Sequence, residues 1–239
     1  MRLSDNVEML EITNEGGTLY PVLLWDDTDV ILIDTGLPGQ LELIRAAVEK
    51  VGVSPDRITK VILTHHDMDH IGSAKLLRES GAEIWAHELE TPYIQGDELS
   101  PKLVKMEERY QELTDGERAF LERVKAGAPM FHVHVDWKLR DGESLPYCGG
   151  IEIIHTPGHT PGHIALRLLA SDILVAGDTA NIADGKLTGA NPQHTLDMEQ
   201  AERSFEKIRA LGARITVCYH GGCVGEAAGT PANREAGSC

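Results

Sequence analysis

The run KVILTHHDMDHIG, residues 60–72, constrains the fold more than any other part of the chain. Val61, Ile62 and Leu63 form a short continuous apolar stretch, the mark of a buried strand. The stretch ends at once in three histidines and two aspartates within the six positions His65 to His70. Groups of that polarity enter a protein interior only when paired or ligated, so this strand must empty its end at the rim of a sheet. Alternate side chains of an extended loop turn the same way, which gives His65, Asp67 and Asp69 one direction. His70 follows directly, and a turn there sends it to a neighbouring ion, so the spacing suits two adjacent metals. His66 has the other parity and points away.

Around this cluster the chain alternates short strands and helices, the α/β pattern. VEMLEI (7–12), TLYPVLLW (18–25) and VILIDT (30–35) predict an antiparallel meander. QLELIRAAVEKVG (40–52) carries Leu41, Ile44, Ala47 and Val48 at helical spacing, with Gly52 as its stop. SAKLLRES (73–80) reads as a helix and AEIWA (82–86) as a strand. Further strands are predicted at FHVHV (131–135), IEIIHT (151–156), HIALRLL (163–169), DILVAGDT (172–179) and RITVCYHGG (214–222). An amphipathic helix at 196–211 turns Met198, Ala201, Phe205 and Ile208 inward. Residues 87–130 are charged, helical in period and broken by Pro92, Gly96, Pro101 and Gly116. They read as helices laid over the domain, a lid that contributes no metal ligand. Strands and helices thus come in two successive batches, which predicts a layered sandwich with a site along one edge. Residues 1–225 read as a single domain and 226–239 as a small polar tail.

Histidine and aspartate recur at later strand ends: His159 in HTPGHTPGH, Asp178 in VAGDT and His220 in CYHGG. Such nitrogen and oxygen donors suit zinc, manganese or iron. With these motifs the sequence resembles the metallo-β-lactamase-fold superfamily, whose pattern is H-x-H-x-D-H, then a histidine, a bridging aspartate and a final histidine. The resemblance spans nearly the whole chain, through LIDTG (32–36), THHDMDH (64–70), TPGHTPGH (156–163), GDT (177–179) and YHGG (219–222). It implies an α/β fold, an αββα sandwich with a helical insertion at about 87–130, holding two divalent metal ions (Zn, Mn or Fe). It places His65, Asp67 and His159 on one ion, Asp69, His70 and His220 on the other, and Asp178 between them. Asp34 would accept a hydrogen bond from a ligand imidazole. His163 would be a structural neighbour and not a ligand. The departure is Asp67, where the common motif has histidine. A carboxylate there hardens the first site and shifts its preference from zinc towards manganese or iron.

The resemblance also implies a hydrolase in which a hydroxide activated by two metals attacks a small ester, thioester or lactone, with Asp69 handling the proton. The alternatives are a di-iron redox enzyme with a separate flavin partner, a phosphodiesterase, and a non-catalytic metal-binding protein. Lactonases of this family often place a tyrosine three residues after the bridging aspartate, where this chain has Asn181. Glutathione-thioester hydrolases grip their substrate with C-terminal basic residues, where this chain has only Arg234. A net charge of −16, from 22 basic and 38 acidic residues, argues against nucleic acid and acidic membrane surfaces as partners. A small-molecule substrate remains, with a homodimer as an open option. No apolar run approaches the ~20 residues of a membrane span, and MRLSDNVEMLEI shows no signal peptide. Cys148, Cys218, Cys223 and Cys239 fit no zinc or disulfide pattern and read as reduced thiols of a cytoplasmic protein. Of the other histidines, His87 is expected near the site, His132 and His134 at or near the surface, and His155 as a brace for the His159 loop. His194 is read as a polar loop residue, its contact with substrate left open.

Overall fold

The computed structural model of the chain describes residues 1–14 and 16–225. The tail 226–239, with Arg234 and Cys239, lies outside the described residues. The first half runs β1 (Arg2–Ser4), β2 (Val7–Met9), β3 (Ile12–Asn14), β4 (Gly17–Leu19), β5 (Val22–Trp25), β6 (Val30–Ile33), α1 (Leu41–Val51) and β7 (Lys60–Leu63). It continues through α2 (Met68–Ile71), α3 (Ala74–Glu79), β8 (Glu83–His87), α4 (Thr91–Gln95), α5 (Pro101–Glu108), α6 (Asp115–Gly127) and β9 (Trp137–Leu139). The second half holds β10 (Ser144–Leu145), β11 (Ile151–His155), β12 (Ile164–Leu168), β13 (Ile173–Val175), β14 (Ala180–Ala183), β15 (Lys186–Gly189), α7 (Met198–Arg209), β16 (Ile215–Cys218) and β17 (Gly222–Gly225).

Among these residues, one sheet has the order β1-β2-β5-β6-β7-β8-β9 and a second the order β10-β11-β12-β13-β16-β17. The strands alternate their buried side chains between two apolar layers. Val22, Leu24, Ile31, Ile33 and Ile62 face Ile153, Ile164, Leu166, Ile173 and Val217 across the gap between the sheets. Leu23, Leu32, Val61, Leu63 and Ile84 turn outward onto Ile44 and Val48 of α1 and Leu77 of α3. On the other outer face, Ile154, Leu174 and Ala176 meet Ile208 of α7, with Phe205 packed beside it. The result is the four-layered αββα sandwich, with α4 to α6 inserted after β8.

Several elements differ from their sequence reading. Pro21 splits the second expected strand into β4 and β5, and β3 pairs with β4 as a separate hairpin. Proline has no N–H for a sheet ladder. FHVHV is not a strand. Phe131, Val133 and Val135 are buried alternately, but Val133 N–H donates to Ile94 O and Val135 N–H to Gln95 Oε1. Its backbone therefore bonds to α4, and the strand next to β8 is β9, two residues further on. Met198 is 38% exposed, not inward; buried Ser204 takes an inner position and donates to Pro157 O at 2.7 Å. The β14–β15 hairpin and β17 had no signal in the sequence reading.

Candidate metal centre

The parallel strands β6, β7, β13 and β16 end at one edge of the sandwich and deliver Asp34, His65 to His70, Asp178 and His220 there. His159 comes from the turn between β11 and β12. That turn sits against α7 because Gly158, at φ +130°, has no side chain; a Cβ would lie 2.2 Å from Ala201 N.

The structure brings all seven candidate ligands together. His159 Nε2 lies 3.0 Å from Asp67 Oδ2, and His65 Nε2 lies 3.3 Å from the same oxygen. His220 Nε2 lies 3.2 Å from Asp69 Oδ2 and 3.3 Å from Asp178 Oδ2. Asp178 also reaches His70 Nε2 at 3.4 Å and His159 Nε2 at 3.5 Å, so its carboxylate stands between the two groups. Three overlapping sets of potential metal donors result: His65, Asp67 and His159; His65, His70 and Asp178; Asp69, His70 and His220.

Hydrogen bonds behind the cluster decide which imidazole nitrogen faces inward. Asp34 Oδ2 accepts from the Thr64 hydroxyl at 2.8 Å and from His70 Nδ1 at 2.9 Å. Having donated its one hydrogen, Thr64 Oγ1 accepts from His65 Nδ1 at 3.0 Å. Both histidines therefore present a lone pair on Nε2 to the centre. Asp34 holds a left-handed backbone, φ +62°, to make these contacts. Among the described residues, His65 Nε2, His70 Nε2 and Asp178 Oδ1 are buried with no hydrogen-bond partner. Inward lone pairs on buried imidazoles, ringed by carboxylates, are what a divalent cation would satisfy, so the donor set fits the implied metals. Burial works against the charge on Asp178, but His70, His220 and His159 outweigh it and hold the carboxyl well below the usual range. Burial also opposes the charge on His220, yet bonds to Asp178 and Asp69 push it up to about 9.

His163 lies under this cluster. Its Nε2 accepts from Asp178 N–H at 3.0 Å, and Nδ1 donates to Thr156 Oγ1 at 2.8 Å. Burial and the nearby His159 push it down to about 3, so it is neutral with both nitrogens engaged. His66 turns into the wall beneath the insertion. Its Nδ1 pairs with Glu90, whose buried carboxylate also accepts from His66 N–H at 2.9 Å and Gly162 N–H at 2.6 Å. His66 Nε2 meets Ser100 Oγ at 2.9 Å. His87 stacks on His155 at 4.4 Å and is not a member of the donor sets; His155 Nε2 donates to Pro161 O at 3.0 Å. His132 and His194 line the adjoining cavity.

Three contributors were given no role from the sequence. Tyr219 donates its hydroxyl to Asp69 O at 2.7 Å, accepts from Gly36 N–H at 3.1 Å and stacks on His70. Glu90 anchors His66. Lys102 of α5 places Nζ against Asp67 Oδ2 and 2.9 Å from His159 Nε2. Residues 87–130 supply no member of the donor sets, but an ammonium from the insertion stands against the first group's carboxylate. A cavity of about 610 Å³ opens from Asp67 and Asp69 and is roofed by α5 and α6.

The family described as the metallo-beta-lactamase superfamily matches residues 19–220. With the sandwich and its edge site, this match makes the chain a member of the metallo-beta-lactamase superfamily. It is 28% identical over 207 residues to Probable metallo-hydrolase YflN of Bacillus subtilis (strain 168), covering 80% of this chain and 75% of that protein. It is 32% identical over 172 residues to a hydroxyacylglutathione hydrolase of Pseudomonas paraeruginosa, covering 70% of this chain and 49% of the relative. A metallo-beta-lactamase family protein from Thermus thermophilus shares the fold with a TM-score of 0.70 at 24% identity, over 92% of this chain and 75% of that one.

Proposed function

We propose that this protein is a metal-dependent hydrolase that cleaves a small ester, thioester or lactone. The observation that carries this reading is the meeting of buried, partnerless imidazole nitrogens with three aspartates, two of which, Asp67 and Asp69, line a cavity of about 610 Å³. His65, Asp67 and His159 would hold one ion, Asp69, His70 and His220 the other, with Asp178 shared. When bound, the ions supply Lewis-acid polarisation of the substrate oxygen and a nucleophile at neutral pH.

The chain's own groups do the rest. Asp34 and Thr64 fix the inward nitrogens of His65 and His70, so little reorganisation is needed at the moment of reaction. Asp69 belongs to one donor set and also lines the cavity, with its side chain 28% exposed. That position suits it to take a proton at the cavity wall and return it to the leaving group. The relatives named as hydroxyacylglutathione hydrolases support hydrolysis of an acyl derivative.

The test is a panel of lactones, thioesters, aryl esters and phosphodiesters, run on metal-analysed protein beside Asp178→Asn. Turnover of a carboxylic derivative that disappears together with both ions in Asp178→Asn is the expected result. Turnover of phosphodiesters alone, or full activity in metal-stripped protein, would overturn it.

A further inference from the structure

The cavity beside the metal centre is chemically lopsided. Asp67 and Asp69 occupy one end. Beneath the insertion Leu99, Leu103, Met106, Phe120, Val124 and Phe131 contribute hydrocarbon to the wall, beside the polar Glu98 and His132. Its volume of about 610 Å³ is that of a small-molecule site.

The helices that roof it are not used up by the protein core. Helix α5 buries none of its residues and α6 buries only Leu121. Phe120 is 41% exposed although it lines the cavity. An amphipathic helix needs a partner for its apolar stripe, and here the stripe faces the cavity. The cations on this side are Lys102, already set against Asp67, and Lys105, whose ammonium donates to Leu196 O at 3.1 Å. A carrier with several carboxylates would find little to hold it there.

We propose that the chamber under α5 and α6 holds an aliphatic acyl chain of the substrate, and that Leu103 and Phe120 set the chain length it accepts. This rests on the hydrolase reading and narrows it to hydrocarbon esters, thioesters or lactones, away from polar anionic carriers. Flexible leucine and methionine side chains on these walls adapt to a flexible hydrocarbon more readily than to a rigid substituted ring, and the polar groups Glu98, His132, Gln193 and His194 stand elsewhere on the same lining.

The test uses the full-length, metal-loaded protein in two arms. In the first, straight-chain alcohols from butanol to decanol displace the fluorescent probe 1-anilinonaphthalene-8-sulfonate. Alcohols are neutral, so only the hydrocarbon distinguishes members of the series. Affinity should tighten about fourfold per methylene, the equivalent of about 0.8 kcal/mol, and then level off when the chamber is full. Leu103→Trp should move the plateau to shorter chains, and Phe120→Asp should flatten the series; unchanged metal content and circular dichroism show that each variant is folded. In the second arm, kcat/KM for p-nitrophenyl esters of the same chain lengths should follow the same profile. Flat alcohol affinity, or a length dependence that both variants leave intact, overturns the chamber. Esters cleaved with no regard to chain length also overturn it, while the hydrolase reading stands. Alcohols bound with this dependence, with no ester, thioester or lactone cleaved, overturn the hydrolase reading and leave the chamber as a hydrocarbon site.

Discussion

Asp67 Oδ2 lies 3.3 Å from His65 Nε2 and 3.0 Å from His159 Nε2, while the neighbouring His66 is held by Glu90 and Ser100. Asp67→Ala should therefore lower bound metal from about two ions per chain to about one, with a loss of affinity of about tenfold or more. His66→Ala should keep both ions but cost about 2 kcal/mol, because it removes a bond to a buried charge. Asp67→His should retain two ions and move preference towards zinc. Elemental analysis with zinc–manganese competition separates the three; metal lost from His66→Ala and kept by Asp67→Ala would reverse the assignment. Asp26 offers a metal-free check on the same kind of argument. Its carboxylate accepts from Asp29 N–H at 2.7 Å, Thr28 N–H at 2.8 Å and Cys148 N–H at 3.2 Å. The bond from Asp29 leads these in lowering it from 3.8 to about 2, although partial burial opposes them. A carboxyl lowered in the folded state contributes fully above pH 3.8 and loses that contribution as pH falls through about 2. Asp26→Ala should cost about 1 kcal/mol at neutral pH, and the gap from the parent in urea midpoint should narrow steadily as pH drops from about 5 towards about 2.

Helix α7 and the turn after β11 show how one element positions another. The Gly158 backbone meets Ala201 so closely that a Cβ would fall 2.2 Å from Ala201 N, and its φ of +130° disfavours any side chain. Gly158→Ala should cost about 2–3 kcal/mol, from overpacking and backbone strain together. It should also weaken metal binding, because His159 is the next residue. Denaturant midpoints and chelator competition measure the two effects; a stable variant with intact metal affinity would show that the turn can move without moving the imidazole. The insertion is a second such element. Its α5 brings Lys102 onto Asp67 and His159, while Ser100, at the start of the same helix, bonds His66 and not the helix's own N–H groups. The insertion and loop 65–70 are thereby tied by hydrogen bonds.

Across the whole molecule, the donor groups come from both sheets, so an ion bound between them ties the two halves of the sandwich together. Anything that binds only the folded state stabilises it by mass action, about 2.7 kcal/mol per ion at about 100 times its dissociation constant. For a chain of 239 residues this corresponds to about 5–10 °C per site. Chelation should lower the melting temperature by that order, and zinc or manganese should restore it. Metal-free protein should remain folded, because the apolar layers do not involve the ligands. An identical melting temperature with and without chelator would argue against ions bridging the sheets. Among the described residues no helix is long and apolar enough to cross a membrane.

Local chemistry made much of this readable from the sequence. The strand of residues 60–63, helix α1 with its Gly52 stop, and the His/Asp motifs lie within short windows whose period and spacing are set by covalent geometry. The sandwich class followed from the order of those windows, and the candidate ligands from motifs that each sit at a strand end. What the sequence left open was contact between residues far apart in the chain. Lys102 is 35 positions from Asp67 and 57 from His159, and nothing in its neighbours marks it. Glu90 is equally anonymous until folding sets it against His66, and the contact of Tyr219 with His70 is invisible in its motif. FHVHV has the alternation of a strand, but a helix supplied the hydrogen bonds a sheet would have given. Periodicity reports which side of a segment is buried. Only the tertiary structure decides what it is buried against, because that depends on which distant surface arrives there.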